Sequence, residues 1–331
     1  MKKKSTFLKK LLKGVLAIFL IFCVLMVTPR ILGLINPDKA PIGYHYASLD
    51  FLAIGVGLES LINKTPDIPA EVQEFKNIEY KNINGKSLQL DIYKPNNVSK
   101  SAPLLVFIHG GGWKGGQRQD YLVYLVAFAK KGYMTATVSY RLGKEGGYPA
   151  CVQDISDAVQ WFYKNSETYG YDPDRIALIG GSAGGHLSLM AGYGWKDPKA
   201  PVDSSVLKNP HHIKAVVDIY GPVDFTTAYA RNHPLITNFV GSTYDKNPQV
   251  FVEASPNSLV NNNNPPTMIL QGSSDDLVPA SQSDNLKLRL DSLGVPNVYY
   301  RLPLWPHTMD IVQRVNNFCQ VKMDAFFKQY L

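Results

Sequence analysis

The stretch IALIGGSAGGHL (176–187) decides the predicted fold of this chain. Its first five residues form a short apolar run, as expected for a strand buried in a sheet, and GGSAG (180–184) then fits the pattern G-x-S-x-G. The residues that follow, HLSLMAGY (186–193), are compatible with a helix. A sharp turn from strand to helix requires small residues beside its central residue, and the neighbours here are glycine and alanine. The pattern predicts that Ser182 is an exposed nucleophile; the alternative is a glycine-rich turn with a purely structural role.

Strand-like and helix-like segments alternate on both sides of this turn, from residue 75 to residue 331. The predicted strands are 78–83, 88–93, 103–109, 133–140, 176–180, 213–220, 267–272 and 297–303. The predicted helices are 121–131, 150–164, 280–293 and 309–329. This alternation predicts an α/β domain (75–331) with a mostly parallel central sheet and helices on both faces. Residues 225–264, rich in proline and asparagine, interrupt the alternation and are predicted to be a small cap-like insertion above the sheet edge.

A second glycine-rich motif, HGGGW (109–113), directly follows the apolar run 103–109. Attack on an ester carbonyl places negative charge on its oxygen, and backbone N–H groups can stabilise that charge where glycine lets the backbone approach closely. The N–H groups of Gly111, Gly112 and Ala183 are the predicted donors of such an oxyanion hole. A phosphate-binding loop is the rival interpretation, but no Gly-Lys-Ser/Thr follows the glycines.

A serine nucleophile needs a histidine that accepts its proton and a carboxylate that orients the histidine. The order Ser, acid, His is expected after this kind of turn, and His307 is the only histidine after residue 233. Asp275 follows the predicted strand 267–272 and is the predicted acid. The alternatives for the acid are Asp276, directly beside it, and Asp224, one strand earlier.

The net charge of +7 comes from the N-terminal region. Six lysines and Arg30 precede the first acidic residue, Asp38, and the remaining 27 basic residues equal the 27 acidic ones in number. A neutral domain gives no support for nucleic-acid binding. We also find no spacing typical of a metal site, since His211-His212 stands alone, and we expect no metal or organic cofactor.

The three cysteines are Cys23, Cys151 and Cys319, which is too few for a disulfide framework. Cys23 lies in the apolar N-terminal stretch. A single bridge between Cys151 and Cys319 is one possibility, and two isolated buried thiols are the interpretation that we favour.

The N-terminal lysines precede an uncharged apolar run, GVLAIFLIFCVLMVT (14–28). This is typical of an export signal, and because ILGLI (31–35) extends the apolar character, the segment 1–36 is predicted to be an uncleaved signal-anchor that spans the membrane. The alternatives are a cleaved signal peptide, a lipoprotein signal ending at Cys23, and a buried helix of a soluble protein. Both the uncleaved signal-anchor and the cleaved signal peptide place the rest of the chain outside the cytoplasm, at the cell membrane or secreted.

Residues 37–74 are predicted to form a linker that contains an amphipathic helix. Within 47–62, apolar side chains recur at helical spacing, namely at Phe51, Ile54, Leu58 and Leu61. Such a helix packs on the domain, covers the active site or lies on the membrane surface; packing on the domain is the default expectation.

Together these motifs resemble a known family. HGGGW (109–113), SYRL (139–142), YPACVQD (148–154), GSSDDLVP (272–279) and the motif around Ser182 are similar, in order and spacing, to those of α/β-hydrolase carboxylesterases related to hormone-sensitive lipase, and especially to BD-FAE-like bacterial esterases. The resemblance covers residues 76–328. It implies the α/β-hydrolase fold and esterase or lipase activity, carried by Ser182, Asp275, His307, Gly111, Gly112 and Ala183. One departure is LWPHTMD (304–310), which lacks the glycine that is common before the histidine in relatives.

The expected function is hydrolysis of short-chain, aryl or sugar esters through an acyl-enzyme intermediate, outside the cytoplasm. The expected partners are a small-molecule or carbohydrate ester and, through the N-terminal segment, the membrane. Two other functions remain open: a serine peptidase or amidase of the same fold, and a non-catalytic surface-binding protein on a hydrolase scaffold.

Overall fold

A computed structural model describes residues 2–36, 38–44, 46–98, 102–194 and 213–331. The pair His211-His212, considered above as metal ligands, lies outside the described residues.

One eight-stranded sheet organises the chain in the order β1-β2-β4-β3-β5-β6-β7-β8. Its strands are β1 (Val72–Ile83), β2 (Lys86–Pro95), β3 (Leu104–Ile108), β4 (Met134–Val138), β5 (Ile176–Gly181), β6 (Ala215–Ile219), β7 (Thr267–Gly272) and β8 (Asn297–Leu302). The first two strands form an antiparallel hairpin, and β2 is antiparallel to β4. All neighbouring pairs from β4 to β8 are parallel. The predicted α/β fold with a mostly parallel sheet is therefore confirmed.

The helices follow the strands on both faces of the sheet. They are α1 (Lys2–Ile35), α2 (Ala47–Gly55), α3 (Leu122–Ala129), α4 (Ala150–Tyr169), α5 (Ala183–Tyr193), α6 (Ala228–Arg231), α7 (Pro234–Val240), α8 (Pro248–Glu253), α9 (Ser281–Ser292) and α10 (Gln313–Tyr330). Alternate residues of β3 point to opposite faces. Leu104, Val106 and Ile108 join a core with α4 and α5, whereas Leu105 and Phe107 join a second core with α3 and α10. The continuous apolar run of β3 thus serves two layers of helices at once.

The two later cysteines lie in different cores. Cys151 belongs to the core under α4 and Cys319 to the core under α10, and both are free and fully buried. They behave as small apolar side chains on opposite faces of the sheet.

The predicted helix over 47–62 is shorter in the structure. It ends at Gly55, because Gly57 adopts a left-handed backbone (φ 77°) and the N–H groups of Leu58 and Glu59 turn back to the carbonyl oxygen of Ala53. The chain then runs in extended form beside α10's N-terminus, with Leu61 bridged to Val312. The prediction was wrong after residue 55 because a helical period cannot detect a glycine turn.

Residues 225–264 form short helices, α6 to α8, joined by turns. This segment packs onto the HGGGW loop: the Phe239 ring stacks on Trp113 with centroids 4.3 Å apart, and Phe225 meets the same indole edge-on. The boundaries of the cap-like insertion stay a prediction, but its contact with the glycine loop is direct.

Helix α1 is apolar along 27 residues (Lys9–Ile35), a length and composition sufficient to cross a membrane, and it is the one such helix in the described residues. Most of its side chains from Lys9 onward are exposed. Met26 is an exception, since it is buried with Tyr44 and Ala53 of the following segment. Helix α1 therefore contacts the linker and α2.

Candidate active site

Ser182 lies at a strained turn between β5 and α5. Its backbone is left-handed (φ 56°, ψ −123°), which a non-glycine residue adopts only when the surroundings impose it. The surroundings here have no room for side chains: a Cβ on Gly184 would lie 2.0 Å from the carbonyl oxygen of Ile108, and one on Gly180 would lie 2.3 Å from the carbonyl carbon of Gly184. The turn therefore presents the serine hydroxyl at the carboxyl end of the sheet.

Ser182, His307 and Asp275 form one hydrogen-bonded chain. The distance from His307 Nε2 to Ser182 Oγ is 3.1 Å, and the distance from His307 Nδ1 to Asp275 Oδ2 is 2.7 Å. The three residues follow three different parallel strands, β5, β8 and β7, whose carboxyl ends meet at the same edge.

The Asp275 carboxylate is held by further donors. Its Oδ1 accepts the backbone N–H groups of Leu277 and Val278 at 3.0 and 2.8 Å, and its Oδ2 also accepts the Gln271 side-chain amide at 3.0 Å. These donors stabilise the ionised carboxylate inside the protein and fix its orientation toward His307.

The alternative acids lie elsewhere. Asp276 is exposed to solvent, and Asp224 accepts hydrogen bonds from Thr226 in its own loop and from Asn257 in the turn 256–259. His186 points into the core: its Nδ1 accepts from the Trp113 indole N–H, so its Nε2 carries the proton donated to the Ala254 carbonyl oxygen. Burial lowers the pKa of His186 to about 4, which keeps it neutral.

The HGGGW loop lies against the serine turn. Gly111 and Gly112 both have positive φ (109° and 59°), and a Cβ on Gly110 would come within 3.4 Å of the Ser182 Cβ. His109 is buried behind the loop, and its ring stacks on that of Tyr140. Ala183 is the first residue of α5, so its N–H has no partner within the helix. The structure thus brings the predicted oxyanion-hole residues close to Ser182.

A cavity of about 420 Å³ opens in front of Ser182. Its lining includes Gly110 to Gly112, the pairs His307-Thr308 and Asp310-Ile311, and Leu235 of α7 from the cap-like insertion. Ile62 and Lys64 of the linker also line the cavity. The sequence analysis named the active site as one alternative for the segment 47–62 but could not show which linker residues reach it, because nothing in the composition of the linker indicates a pocket.

Comparison with known proteins agrees with this geometry. The family model of BD-FAE matches residues 90–290, which is more than half of the chain. The chain belongs to the BD-FAE family. The resemblance inferred from the motifs is therefore confirmed.

Curated relatives of this BD-FAE protein include two from Mycobacterium tuberculosis. Esterase LipC is 32% identical over 232 residues, which are 67% of this chain and 57% of LipC. The probable carboxylic ester hydrolase LipM is 31% identical over 237 residues, which are 69% of this chain and 54% of LipM. The chain thus spans a little over half the length of these relatives.

Solved structures share the fold. A truncated carbohydrate esterase from gut microbiota superposes with a TM-score of 0.69 at 24% identity, covering 80% of this chain and 98% of that one. The propionate-bound esterase 2 of Thermogutta terrifontis superposes with a TM-score of 0.65 at 22% identity, covering 81% of this chain and 97% of that one.

The match to the BD-FAE family ends at residue 290 and therefore contains Ser182 and Asp275 but not His307. The placement of the histidine rests on the two hydrogen bonds in the structure. It does not depend on the missing glycine in LWPHTMD (304–310), because the loop reaches Ser182 without it.

A buried acid beside His307 escaped the sequence analysis. Asp310 accepts hydrogen bonds from the hydroxyls of Tyr220 and Tyr124, and burial raises its pKa above the ordinary value for aspartate. The Tyr220 ring lies against His307 with ring centroids 4.6 Å apart. The signal that could have drawn attention is an aspartate three residues after the histidine, but nothing local shows that two distant tyrosines converge on it.

Proposed function

We propose that this BD-FAE protein is a serine carboxylic ester hydrolase that acts through an acyl-enzyme intermediate. The observation that carries the proposal is the unbroken hydrogen-bonded chain from Ser182 Oγ through His307 to Asp275. The names of the mycobacterial relatives, both esterases or ester hydrolases, support the same activity.

The reaction proceeds in two acyl transfers. His307 Nε2 accepts the hydroxyl proton while Ser182 Oγ attacks the ester carbonyl, and Asp275 holds the Nδ1 proton and stabilises the imidazolium. The N–H groups of Gly111, Gly112 and Ala183 stabilise the tetrahedral oxyanion. His307 then protonates the leaving alcohol, and a water molecule activated by the same histidine releases the acid and restores the serine.

Short acyl groups and sugar or aryl alcohols are the proposed substrates. A cavity of about 420 Å³ holds a small ester and is open enough for part of a larger alcohol to remain outside. The propionate bound to one structural neighbour and the carbohydrate named for another are consistent with this class.

The proposed location is the outer side of the cell membrane, with α1 as a signal-anchor. The lysines at its start favour the cytoplasmic side, and the apolar run that follows is long enough to span the bilayer. The domain then folds outside the cytoplasm.

Covalent labelling with a fluorophosphonate probe tests the nucleophile. We expect labelling of the wild type and of the control Ser292→Ala, an exposed serine, but not of Ser182→Ala. A folded wild type that stays unlabelled would instead favour the surface-binding protein.

Substrate preference is tested with three compounds: p-nitrophenyl acetate, a long-chain ester and an aminoacyl anilide. We expect the acetate to be hydrolysed fastest and Ser182→Ala to abolish turnover. Faster cleavage of the anilide would favour the peptidase or amidase.

A further inference from the structure

Exposed apolar side chains concentrate in one short segment after α1. Phe51 is 69% exposed, and the same segment carries the other exposed large apolar side chains Tyr46, Leu52, Val56 and Leu61. In the remaining described residues after this segment, such side chains are scattered: they are Leu288, Leu293, Leu304 and Val321. We call residues 46–61 the linker surface. A concentration of exposed apolar side chains of this kind is typical of a protein or membrane contact.

The depth of the linker surface follows from its contact with α1. Met26 of α1 is buried against Ala53 of α2, four residues before the charged Arg30. At 1.5 Å per residue, the contact lies about 6 Å along the helix axis on the apolar side of Arg30. If Arg30 lies at the headgroups, then α2 lies at the boundary between headgroups and acyl chains, which is where amphipathic helices bind.

Basic side chains lie next to the linker surface. Arg30, Lys39 and Lys322 line a groove of about 410 Å³ between α1 and α10, with Asp38 as the acidic residue of its lining. Arg314 also lines the groove and joins it to the linker surface through an ion pair with Glu59, 2.6 Å between Nε and Oε1. Basic side chains at this depth complement the phosphate groups of anionic lipids.

The linker surface continues into the active-site cavity. The backbone of Ser60 and Ile62 pairs with Gln313 and Ile311, at N–O distances of 2.8 and 2.9 Å. Because successive side chains of extended backbone point to opposite sides, Leu61 is exposed while Ile62 lines the cavity. The mouth of the cavity is therefore edged by Ile62, the residue that directly follows the linker surface.

We propose that the linker surface lies in the headgroup region of the bilayer that α1 spans, and that the cavity takes amphiphilic esters directly from that lipid phase. The partner is the lipid surface itself: apolar side chains enter the acyl boundary and the neighbouring cations meet lipid phosphates. The proposal rests on the membrane anchor and the ester hydrolysis proposed above.

The depth of the linker surface is measured without any activity. In a Cys23→Ala background, Phe51→Cys is compared with Leu288→Cys, whose native side chains are similarly exposed (69% and 64%). Full-length protein in vesicles of phosphatidylcholine and phosphatidylglycerol is treated with a membrane-impermeant maleimide, and each rate is divided by the rate for the unfolded protein. The native Cys151 and Cys319 are fully buried. We expect residue 51 to react at least about tenfold more slowly than residue 288; equal rates overturn the docking.

Use of the lipid phase is measured with Phe51→Ser/Val56→Ser, and Leu288→Ser is the matched control. We expect the double variant to lose about tenfold in hydrolysis of a long-chain ester dissolved in the vesicles, since two apolar side chains leave the interface. Hydrolysis of soluble p-nitrophenyl acetate stays unchanged, because neither residue lines the cavity. An unchanged rate on the vesicle ester overturns the proposed supply of substrate. The enzymatic function is refuted if the wild type hydrolyses neither ester and is not labelled by the fluorophosphonate. The maleimide rates still decide the docking in that case.

Discussion

Asp218 should make the protein less stable as the pH rises, and the structure gives the size of the effect. This aspartate of β6 is fully buried beneath the start of α5, where its Oδ1 accepts the Gly221 N–H at 2.9 Å and its Oδ2 has no partner. Burial raises its pKa from the ordinary 3.8 to about 8. The carboxyl is therefore neutral in the folded protein at neutral pH and ionised in the unfolded chain.

The sign follows from proton binding. Between pH 5 and pH 7 the folded state holds one more proton at Asp218 than the unfolded state, so raising the pH favours unfolding. Each pH unit in this window costs about 1.4 kcal/mol, or about 3 kcal/mol over the two units. Asp218→Asn retains the acceptor for Gly221 and cannot ionise. The variant should therefore gain about 3 kcal/mol relative to wild type between pH 5 and pH 7.

The assay is guanidinium unfolding of the full chain in one mild detergent, followed by tryptophan fluorescence at pH 5, 6 and 7. Asp245→Asn, which alters an exposed aspartate, is the control and should show no pH-dependent difference from wild type. A free-energy difference between Asp218→Asn and wild type that stays constant over this range would refute the neutral buried carboxyl.

Three further predictions concern the active site. Asp275→Asn should lower kcat by about 10³- to 10⁴-fold, because the amide favours the wrong histidine tautomer. Steady-state kinetics on p-nitrophenyl acetate measure the loss. A loss below tenfold would contradict the proposed orienting role of Asp275. Gly116→Ala should lower kcat by about 10²-fold, since the new Cβ would lie 2.4 Å from the Gly110 carbonyl oxygen and displace the glycine loop. The control is Gly132→Ala, because Gly132 has a similar φ and open space around it. Equal kcat values for the two variants would refute the clash. Asp310→Asn should lower the free energy of unfolding by about 1–3 kcal/mol, because its amide nitrogen replaces one of the two oxygens that accept the hydroxyls of Tyr124 and Tyr220. Chemical denaturation measures it, and a stability equal to wild type would show that the hydroxyl finds another partner.

The sheet could be predicted because its signals are local. The apolar run of β3 and the turn after β5 depend on residues that are neighbours in sequence, and Asn84-Gly85 lies at the tip of the first hairpin with both φ values positive. The order Ser, acid, His also follows from the chain once the fold class is known. The fold class and the three side chains Ser182, Asp275 and His307 could therefore be predicted from the sequence.

The rest depends on residues that are far apart in the chain. Tyr124, Tyr220 and Asp310 come from three different elements, and their convergence follows from the way α3, β6 and the His307 loop pack. The early end of α2 also depends in part on residues that are distant in the chain. Leu58 and Leu61 keep a helical period, but a glycine turn at Gly57 and pairing with residues 311–313 determine their positions. Periodicity records which residues are apolar and not which neighbours they meet.

The linker also contacts the loop that carries His307. The loop that carries His307 is held from the N-terminal side: the Gly43 N–H donates to the Pro303 carbonyl at 2.8 Å, and the buried Trp305 indole N–H donates to the Pro41 carbonyl at 2.9 Å. A Cβ on Gly43 would lie 2.7 Å from the Leu304 carbonyl oxygen, so the two segments are in close backbone contact. The segment that follows α1 therefore packs against the residues that position the proposed base. Both sides of this contact lie outside residues 90–290, which the BD-FAE family model matches, so the match itself carries no information on how the loop of His307 is held.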